Sequence, residues 1–264
     1  MDTAAPTYAL ITGASAGIGK EFAEELATRK YNLILVSLPG TGLEQQGKSL
    51  IKRFNTDVRI IETDLMVQGN HEKVKEYILS ENLSLSLLIN NVGLGHNGEI
   101  GTYTTRKINE MVLLNVATTT LMTNLLVPEL KKSPRAFILN MGSFGGFMPL
   151  AYKSIYSATK SYVYHFSVSL AAELRGTGVQ VSVALPGPVP TNDLVKDRID
   201  KSGRIARKII LPADRVAAFT LDKMFAGRQL IIPGRGNRMM YYFGNLIPYG
   251  LLRIMLQNRF RGQL

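Results

Sequence analysis

Six short apolar runs, each followed by a polar turn or a stretch of helical periodicity, constrain this chain more than any other feature. They are YALITG at 8–13, NLILVS at 32–37, VRIIET at 58–63, LSLLIN at 85–90, RAFILNM at 135–141 and VQVSVAL at 179–185, with QLIIP at 229–233 as a shorter seventh. Runs of this length, rich in Val, Ile and Leu, read as strands buried on both faces. Between them, residues 17–30 place Ile18, Phe22 and Leu26 on one helical face, and 43–54, 72–80, 105–130, 155–174 and 211–225 also read as helices. Strands that alternate with helices imply an α/β fold: a doubly wound parallel sheet with helices on both faces. A chain of 264 residues with 45% hydrophobic side chains can bury such a core in a single domain.

The first turn is the most informative. Thr12-Gly13-Ala14-Ser15-Ala16-Gly17-Ile18-Gly19 leaves the first strand and opens the first helix. Glycines there let the backbone approach a pyrophosphate, and the helix N-terminus offers unpaired N–H groups and the positive end of its dipole. A glycine turn alone is weak support for a nucleotide site, but this one has the strand–turn–helix context of a Rossmann-type dinucleotide fold. Its spacing is TGxxxGxG.

From this turn onwards, over about residues 8–232, the chain resembles the short-chain dehydrogenase/reductase family. The same order of signals continues with Asp64 after the third strand, Asn90-Asn91-Val92-Gly93 after the fourth, Asn115 on the next helix, Ser143 past the fifth strand, YSATK at 156–160, and Pro186-Gly187 after the sixth strand. The resemblance implies a nicotinamide cofactor held by Gly13, Ser15, Ala16, Gly17, Ile18, Gly19, Ser37, Asp64, Leu65, Asn91, Val92, Gly93, Tyr156, Lys160, Pro186, Gly187, Val189 and Thr191. Asp64 is expected on the adenine, Asn90 and Gly93 beside the adenosine, and Thr191 on the carboxamide. A turn held by side-chain to backbone bonds is an equally good reading of Asn90-Asn91.

The reacting set implied is Ser143, Tyr156, Lys160 and Asn115. Tyr156 and Lys160, four residues apart on a helix, project from one face. An ammonium beside a phenol favours phenolate, so proximity to Lys160 is expected to lower the Tyr156 pKa from about 10. Tyr156 would exchange a proton with the substrate oxygen, Ser143 would hydrogen-bond that oxygen, and Asn115 would bend its helix and hold a water linked to Lys160. Alone, a YxxxK pair is usually an exposed pair on a helix. Here its place after Ser143 and the glycine turn implies interconversion of a ketone and a secondary alcohol. A cofactor-binding relative without turnover is the alternative.

Cofactor choice rests on the end of the second strand, where a carboxylate would bind the ribose hydroxyls of NAD(H). Ser37, Leu38, Pro39 and Gly40 stand there, without the acid and without the arginine that pairs with a 2′-phosphate. NADP(H) is expected, with NAD(H) as the alternative. Leu94, Phe144 and Met148 are expected to line an apolar substrate pocket, closed by a loop from Pro186 to about residue 208 or 210. His96 fits either that pocket or the surface. Three scattered histidines and no cysteine supply no metal site, thiol nucleophile or disulfide.

The net charge of +11 is concentrated late: residues 196–264 hold 14 Lys/Arg against 4 Asp/Glu. A basic field of this kind suits an anionic membrane, an anionic substrate or nucleic acid equally well. No reading helix or interleaved aromatic-basic strand marks a nucleic-acid binder, so none is expected. Residues 1–234 read as the dinucleotide-binding domain and 235–264 as a basic apolar extension of it. Residues 239–252 carry no charge, yet Gly244, Pro248 and Gly250 interrupt a run too short to span a bilayer. The extension suits a membrane interface, the chain's own domain or a second subunit. No secretory signal is recognisable at the N-terminus. The apolar pocket residues and this extension are similar to those of the branch of the family that acts on acyl-chain, sphingoid or steroid ketones. The resulting expectation is a cytoplasmic homo-oligomer (dimer or tetramer) acting on a small apolar carbonyl or alcohol, with peripheral membrane contact through 235–264 as an option.

Overall fold

The computed structural model describes residues 7–148, 150–190 and 210–244. All seven apolar runs are strands: β1 (Tyr8–Thr12), β2 (Asn32–Ser37), β3 (Val58–Glu62), β4 (Leu85–Asn90), β5 (Ala136–Met141), β6 (Val179–Ala184) and β7 (Leu230–Ile231). They form one parallel sheet in the order β3-β2-β1-β4-β5-β6-β7. The chain therefore winds outward from β1 in one direction, then returns and winds outward from β4 in the other. A crevice opens where the two directions part, at the carboxyl ends of β1 and β4.

Continuous apolar strands are what a sheet covered twice requires, because alternate side chains feed opposite layers. Ala9 and Ile11 of β1, Leu33 and Leu35 of β2, and Leu87 and Ile89 of β4 enter one core with Phe22 and Leu26. These last two lie on α1 (Gly17–Thr28), while α2 (Leu43–Phe54) contributes Leu43 and Leu50 to the same layer. Leu10, Ile34 and Leu88 face the other way. They meet Val74 and Ile78 of α3 (Asn70–Ser80), and Met122, Leu126 and Leu130 from the helical stretch after β4.

That stretch fills the helical region expected over 105–130 in three parts. It is α4 (Thr105–Val112), a π-helical segment at Leu113–Ala117 and α5 (Thr118–Leu130), with the wide turn centred on Asn115. By length and composition Thr105–Leu130 could cross a bilayer. Met111, Met122, Leu126 and Leu130 are nevertheless fully buried in the protein.

Past β5 come a short helix that periodicity did not reveal, α6 (Phe144–Phe147), and the long α7 (Ser154–Glu173). Among the described residues the last two helices are α8 (Ala213–Phe225), two residues shorter than expected, and α9 (Arg235–Gly244). Residues 191–209 and 245–264 lie outside the described residues, and with them Thr191, most of the expected loop and most of the C-terminal extension.

Candidate active site

The glycine turn is shaped by contacts that leave no room for side chains. Gly13 and Gly17 have φ of +66° and +55°, values that glycine alone adopts at no steric cost. A Cβ on Gly19 would lie 2.1 Å from the Gly13 carbonyl oxygen and 2.5 Å from Asn91 Nδ2. Gly19→Ala should therefore cost about 2–3 kcal/mol. A lowered denaturant midpoint checks this, and an unchanged midpoint would mean that the turn relaxes freely.

Asn91 fastens the turn to the end of β4. Its Nδ2 donates to the carbonyls of Thr12 (2.9 Å) and Gly13 (3.2 Å), while the Thr12 hydroxyl accepts the N–H groups of Asn91 (3.0 Å) and Val92 (3.1 Å). Ala16 caps α1 through backbone conformation only, with no side-chain bond to the first N–H groups. Those donors face the crevice unclaimed by a side-chain cap, as an anion site requires.

Asn90 does something other than expected. It is buried, and its Nδ2 donates to Asn140 Oδ1 (2.8 Å) and Thr123 Oγ1 (2.9 Å), while Asn140 donates to Ser167 Oγ (2.9 Å). It ties β4 and β5 to α5 and α7, so its side chain is engaged within the scaffold. Strand alternation explains the difference, because adjacent residues at a strand end point to opposite sides.

Across the crevice, Ser15 Oγ and Ser37 Oγ are 2.7 Å apart, and Thr41 Oγ1 reaches Ser37 at 3.4 Å and the Leu38 carbonyl at 2.8 Å. Three hydroxyls thus meet where no charged residue occurs between 37 and 43. Asp64 caps its own turn, accepting the Met66 N–H at 2.9 Å. Leu65 is buried among the core side chains, and its carbonyl accepts the Thr118 hydroxyl.

Ser143, Tyr156, Lys160 and Asn115 converge beyond β4 and β5. Ser143 ends the loop after β5 and caps α6, accepting the Gly145 N–H at 3.1 Å. Gly146 lets α6 sit directly on α7, since a Cβ there would lie 2.5 Å from the Lys160 carbonyl carbon. This contact brings the Ser143 hydroxyl into hydrogen-bonding contact with the Tyr156 phenol. The Gly-Gly pair in GSFGGF was the sequence signal for the approach.

Lys160 is buried, and its Nζ donates to the Met141 carbonyl at 2.7 Å. Asn115 is fully buried with its side chain spent: Nδ2 donates to the Leu94 carbonyl and Thr159 Oγ1, both at 2.9 Å, and Oδ1 accepts the Leu94 N–H at 2.9 Å. Its own carbonyl accepts the Thr119 hydroxyl at 3.0 Å. Gly93 lets these groups gather, for a Cβ there would be 2.7 Å from Asn115 Oδ1 and 3.2 Å from Lys160 Nζ.

The electrostatics reverse one expectation. Burial raises the Tyr156 pKa, an effect that the hydrogen bond with Ser143 only partly offsets. Burial also lowers Lys160 to about 8. Desolvation penalises both charged forms and outweighs the attraction expected between them. Tyr156 therefore keeps its proton at neutral pH.

The pocket residues divide. Leu94 and Phe144 are half-buried, whereas Met148 is buried against Gly244 of α9 and so packs beneath that helix. His96 stands edge-on to Tyr103 (5.3 Å between ring centres), which donates to the His96 carbonyl. Pro186 accepts the Phe144 N–H at 2.9 Å and Val189 is buried, so the loop after β6 is pinned to α6.

Four residues have roles that the sequence reading did not give them. Thr12 and Thr159 sit inside motifs that were recognised, so their signal was present. Tyr152 has φ of +61°, and its carbonyl takes the Gly98 N–H at 2.8 Å, lacing the loops after β4 and β5 together. Asn237 of α9 is buried against Gly187, where a Cβ would meet its side-chain atoms at 2.8 Å. Neither of the last two carries a local sequence signal.

Comparison with known proteins is consistent with this geometry. The model of the short chain dehydrogenase family matches residues 7–202. A very-long-chain 3-oxoacyl-CoA reductase of Pyricularia oryzae is 35% identical over 182 residues, which are 68% of this chain and 55% of that protein. The chain spans between 54% and 68% of the length of such curated relatives. Among solved structures, a short-chain dehydrogenase from Sphingobium yanoikuyae in complex with NADPH superposes with a TM-score of 0.79 at 28% identity, covering 94% of this chain and 95% of that one. A bulky-bulky ketone specific alcohol dehydrogenase from Comamonas testosteroni gives 0.76 at 27% identity, covering 91% and 93%.

Proposed function

This chain belongs to the short chain dehydrogenase family, and on that premise we propose that it is an NADP(H)-dependent reductase of apolar ketones, with acyl-chain ketones as the leading substrate class. The observation that carries the reading is the convergence of Ser143, Tyr156, Lys160 and Asn115 beside a glycine turn shaped for a dinucleotide. The acyl-chain preference draws on the relatives named very-long-chain 3-oxoacyl-CoA reductase and on half-buried Leu94 and Phe144 at the pocket.

The residues present fit a nicotinamide dinucleotide. Gly13 and Gly19 let the turn close tightly on Asn91 and Val92, and the start of α1 offers N–H donors without a side-chain cap. Gly13, Ser15, Ala16, Gly17, Ile18 and Gly19 would hold the pyrophosphate; Asp64, Leu65 and Gly93 the adenosine half; Val92, Pro186, Gly187 and Val189 the nicotinamide half with Lys160. When bound, the reduced nicotinamide supplies the hydride.

The protein supplies a polarised carbonyl and a proton. Ser143 Oγ, fixed as the cap of α6, donates to the substrate oxygen and orients it toward Tyr156. Tyr156 gives its phenolic proton to that oxygen as negative charge develops there. Lys160, charged below about pH 8, stabilises the phenolate that results. Asn115 acts as a positioning residue. Its side chain locks the loop at Leu94 to Thr159 on α7, and the π-helical turn around it admits that geometry.

A panel of 3-oxoacyl chains, steroids and small ketones, followed by NADPH absorbance, tests the reading. Reduction of long 3-oxoacyl substrates is expected. Cofactor binding without turnover of any of these substrates would instead favour a regulatory relative.

The preference for NADP(H) rests on the Ser15, Ser37 and Thr41 hydroxyls and the absence of a carboxylate between residues 37 and 43. The kcat/KM for NADPH should exceed that for NADH by about 10-fold or more, and Ser37→Asp should reverse the order by setting a carboxylate against the 2′-phosphate. Faster turnover of NADH by the unaltered protein would overturn the assignment.

Self-association is part of the proposal. Val112, Leu113 and Leu121 before β5, and Tyr162 and Val168 on α7, are exposed large side chains on the helices that carry the site. Sedimentation velocity of the full chain should show a dimer or larger, and a monomer at micromolar concentration would refute it.

A further inference from the structure

The helix α9 has two faces of opposite character. Its inner face is Asn237, Tyr241 and Gly244: Asn237 is buried against Gly187, the Tyr241 ring lies 4.4 Å from that of Phe147, and Gly244 rests on Phe147 and Met148. The opposite face is Arg235, Met239, Tyr242 and Phe243, spaced i, i+4, i+7 and i+8, hence one stripe. All four are exposed, with Met239 60%, Tyr242 66% and Phe243 60% open. Three large side chains turned outward on one helical stripe form a patch that burial in the fold does not explain.

Charge selects what covers it. Residues 235–264 hold five arginines and no Asp or Glu, and 20 of those residues, 245–264, continue the chain beyond α9. An acidic protein groove would meet the arginines but not a stripe of Met, Tyr and Phe backed by uncharged sequence over 239–252. A second copy of this patch would set arginine against arginine. An anionic bilayer answers both features: aromatic and thioether side chains enter the headgroup–acyl boundary while arginines pair with phosphates.

From this we infer that α9 is an interfacial helix that seats the protein on anionic membranes through Arg235, Met239, Tyr242 and Phe243. Its inner face packs on Phe147, Met148 and Gly187, beside Ser143 and Pro186. The docked bilayer therefore lies next to the pocket, and a substrate with a long alkyl chain enters laterally from the lipid. Docking stands independently of the reductase reading, and only the route of entry rests on it.

Flotation of the full chain with vesicles of phosphatidylcholine, with and without about one third phosphatidylglycerol, tests the docking. The unaltered protein should float with the anionic vesicles, and Met239→Ser/Tyr242→Ser/Phe243→Ser should lower its partition about 10-fold or more. NADPH affinity of the triple variant, expected unchanged, reports that its fold survives. The chain contains no tryptophan, so Phe243→Trp provides a single indole reporter. Its emission should shift to the blue on vesicles and be quenched by a lipid-borne quencher. No flotation of the unaltered protein, equal flotation of the triple variant, an indole signal indifferent to lipid, or a loss of dimer in place of a loss of lipid binding would each overturn the inference. None of these readouts requires turnover, so failure on the ketone panel would leave the docking result interpretable.

Discussion

Tyr156→Phe is expected to lower kcat for ketone reduction by about 10²–10⁴-fold, the range contributed by a positioned proton donor. The ring remains and only the hydroxyl is lost, so Gly95 and Gly145 keep the neighbour they pack against. The Ser143 hydroxyl loses one partner but retains the Gly145 N–H. Stability should fall by no more than about 1 kcal/mol, and NADPH affinity should stay within about threefold, because the pyrophosphate cradle lies on another strand end. Steady-state kinetics with cofactor titration reads both. A variant keeping more than a tenth of the activity would show that Tyr156 is not the donor. A comparable loss in both cofactor affinity and kcat would show that the residue supports the fold instead.

Lys160→Met should abolish turnover and, at pH 7, make the protein more stable. The lysine is buried, and burial holds its pKa near 8, against about 10.4 when unfolded. Between those values the unfolded chain binds a proton that the native protein does not, so native stability rises with pH across that window. Below about pH 8 both states are protonated, and the native state carries the full desolvation cost of roughly 3 kcal/mol. Methionine has similar length and no charge. At pH 7 the variant should gain about 1–3 kcal/mol, after loss of the bond to the Met141 carbonyl, and that gain should shrink as pH approaches 10. Calorimetry of both proteins at pH 7 and pH 10 decides it. An equal or lower Tm for the variant at pH 7 would mean that Lys160 is compensated in the native state by more than its one carbonyl.

These two predictions differ in what made them available. Spacing put Tyr156 and Lys160 on one helical face, but their roles, and that of Ser143, were legible only through the resemblance to the family. The spacing argument nevertheless assigned the pKa shift of Tyr156 the wrong sign. Proximity of charges is visible in a helical period, whereas the degree of desolvation depends on what packs above. Here α6 covers the pair because Gly146 fits against the backbone of α7 at Lys160. The four-residue length of α6 is below anything periodicity can report. The same limit applies to the helical region read over 105–130, where the bend at Asn115 was expected only from the family resemblance. Its apolar period survives the π-helical turn at Leu113–Ala117, so the interruption at Asn115 left no trace in the pattern.

By itself the sequence determined the alternation of strand and helix, the parallel sheet, and the turn from Thr12 to Gly19, because each is written in residues adjacent in the chain. Only the tertiary structure decided that β1 lies beside β4, which opens the crevice. It also turned Asn90 into the scaffold and left Asn91 to hold the turn, kept Tyr156 a neutral phenol, and brought α9 from the far end of the chain to Gly187. Strand order, burial and helix docking depend on contacts between residues distant in the chain, such as Asn90 with Asn140 and Gly187 with Asn237. Local periodicity shows which face of an element is apolar, but the partner that covers it is chosen by the packing of the whole chain.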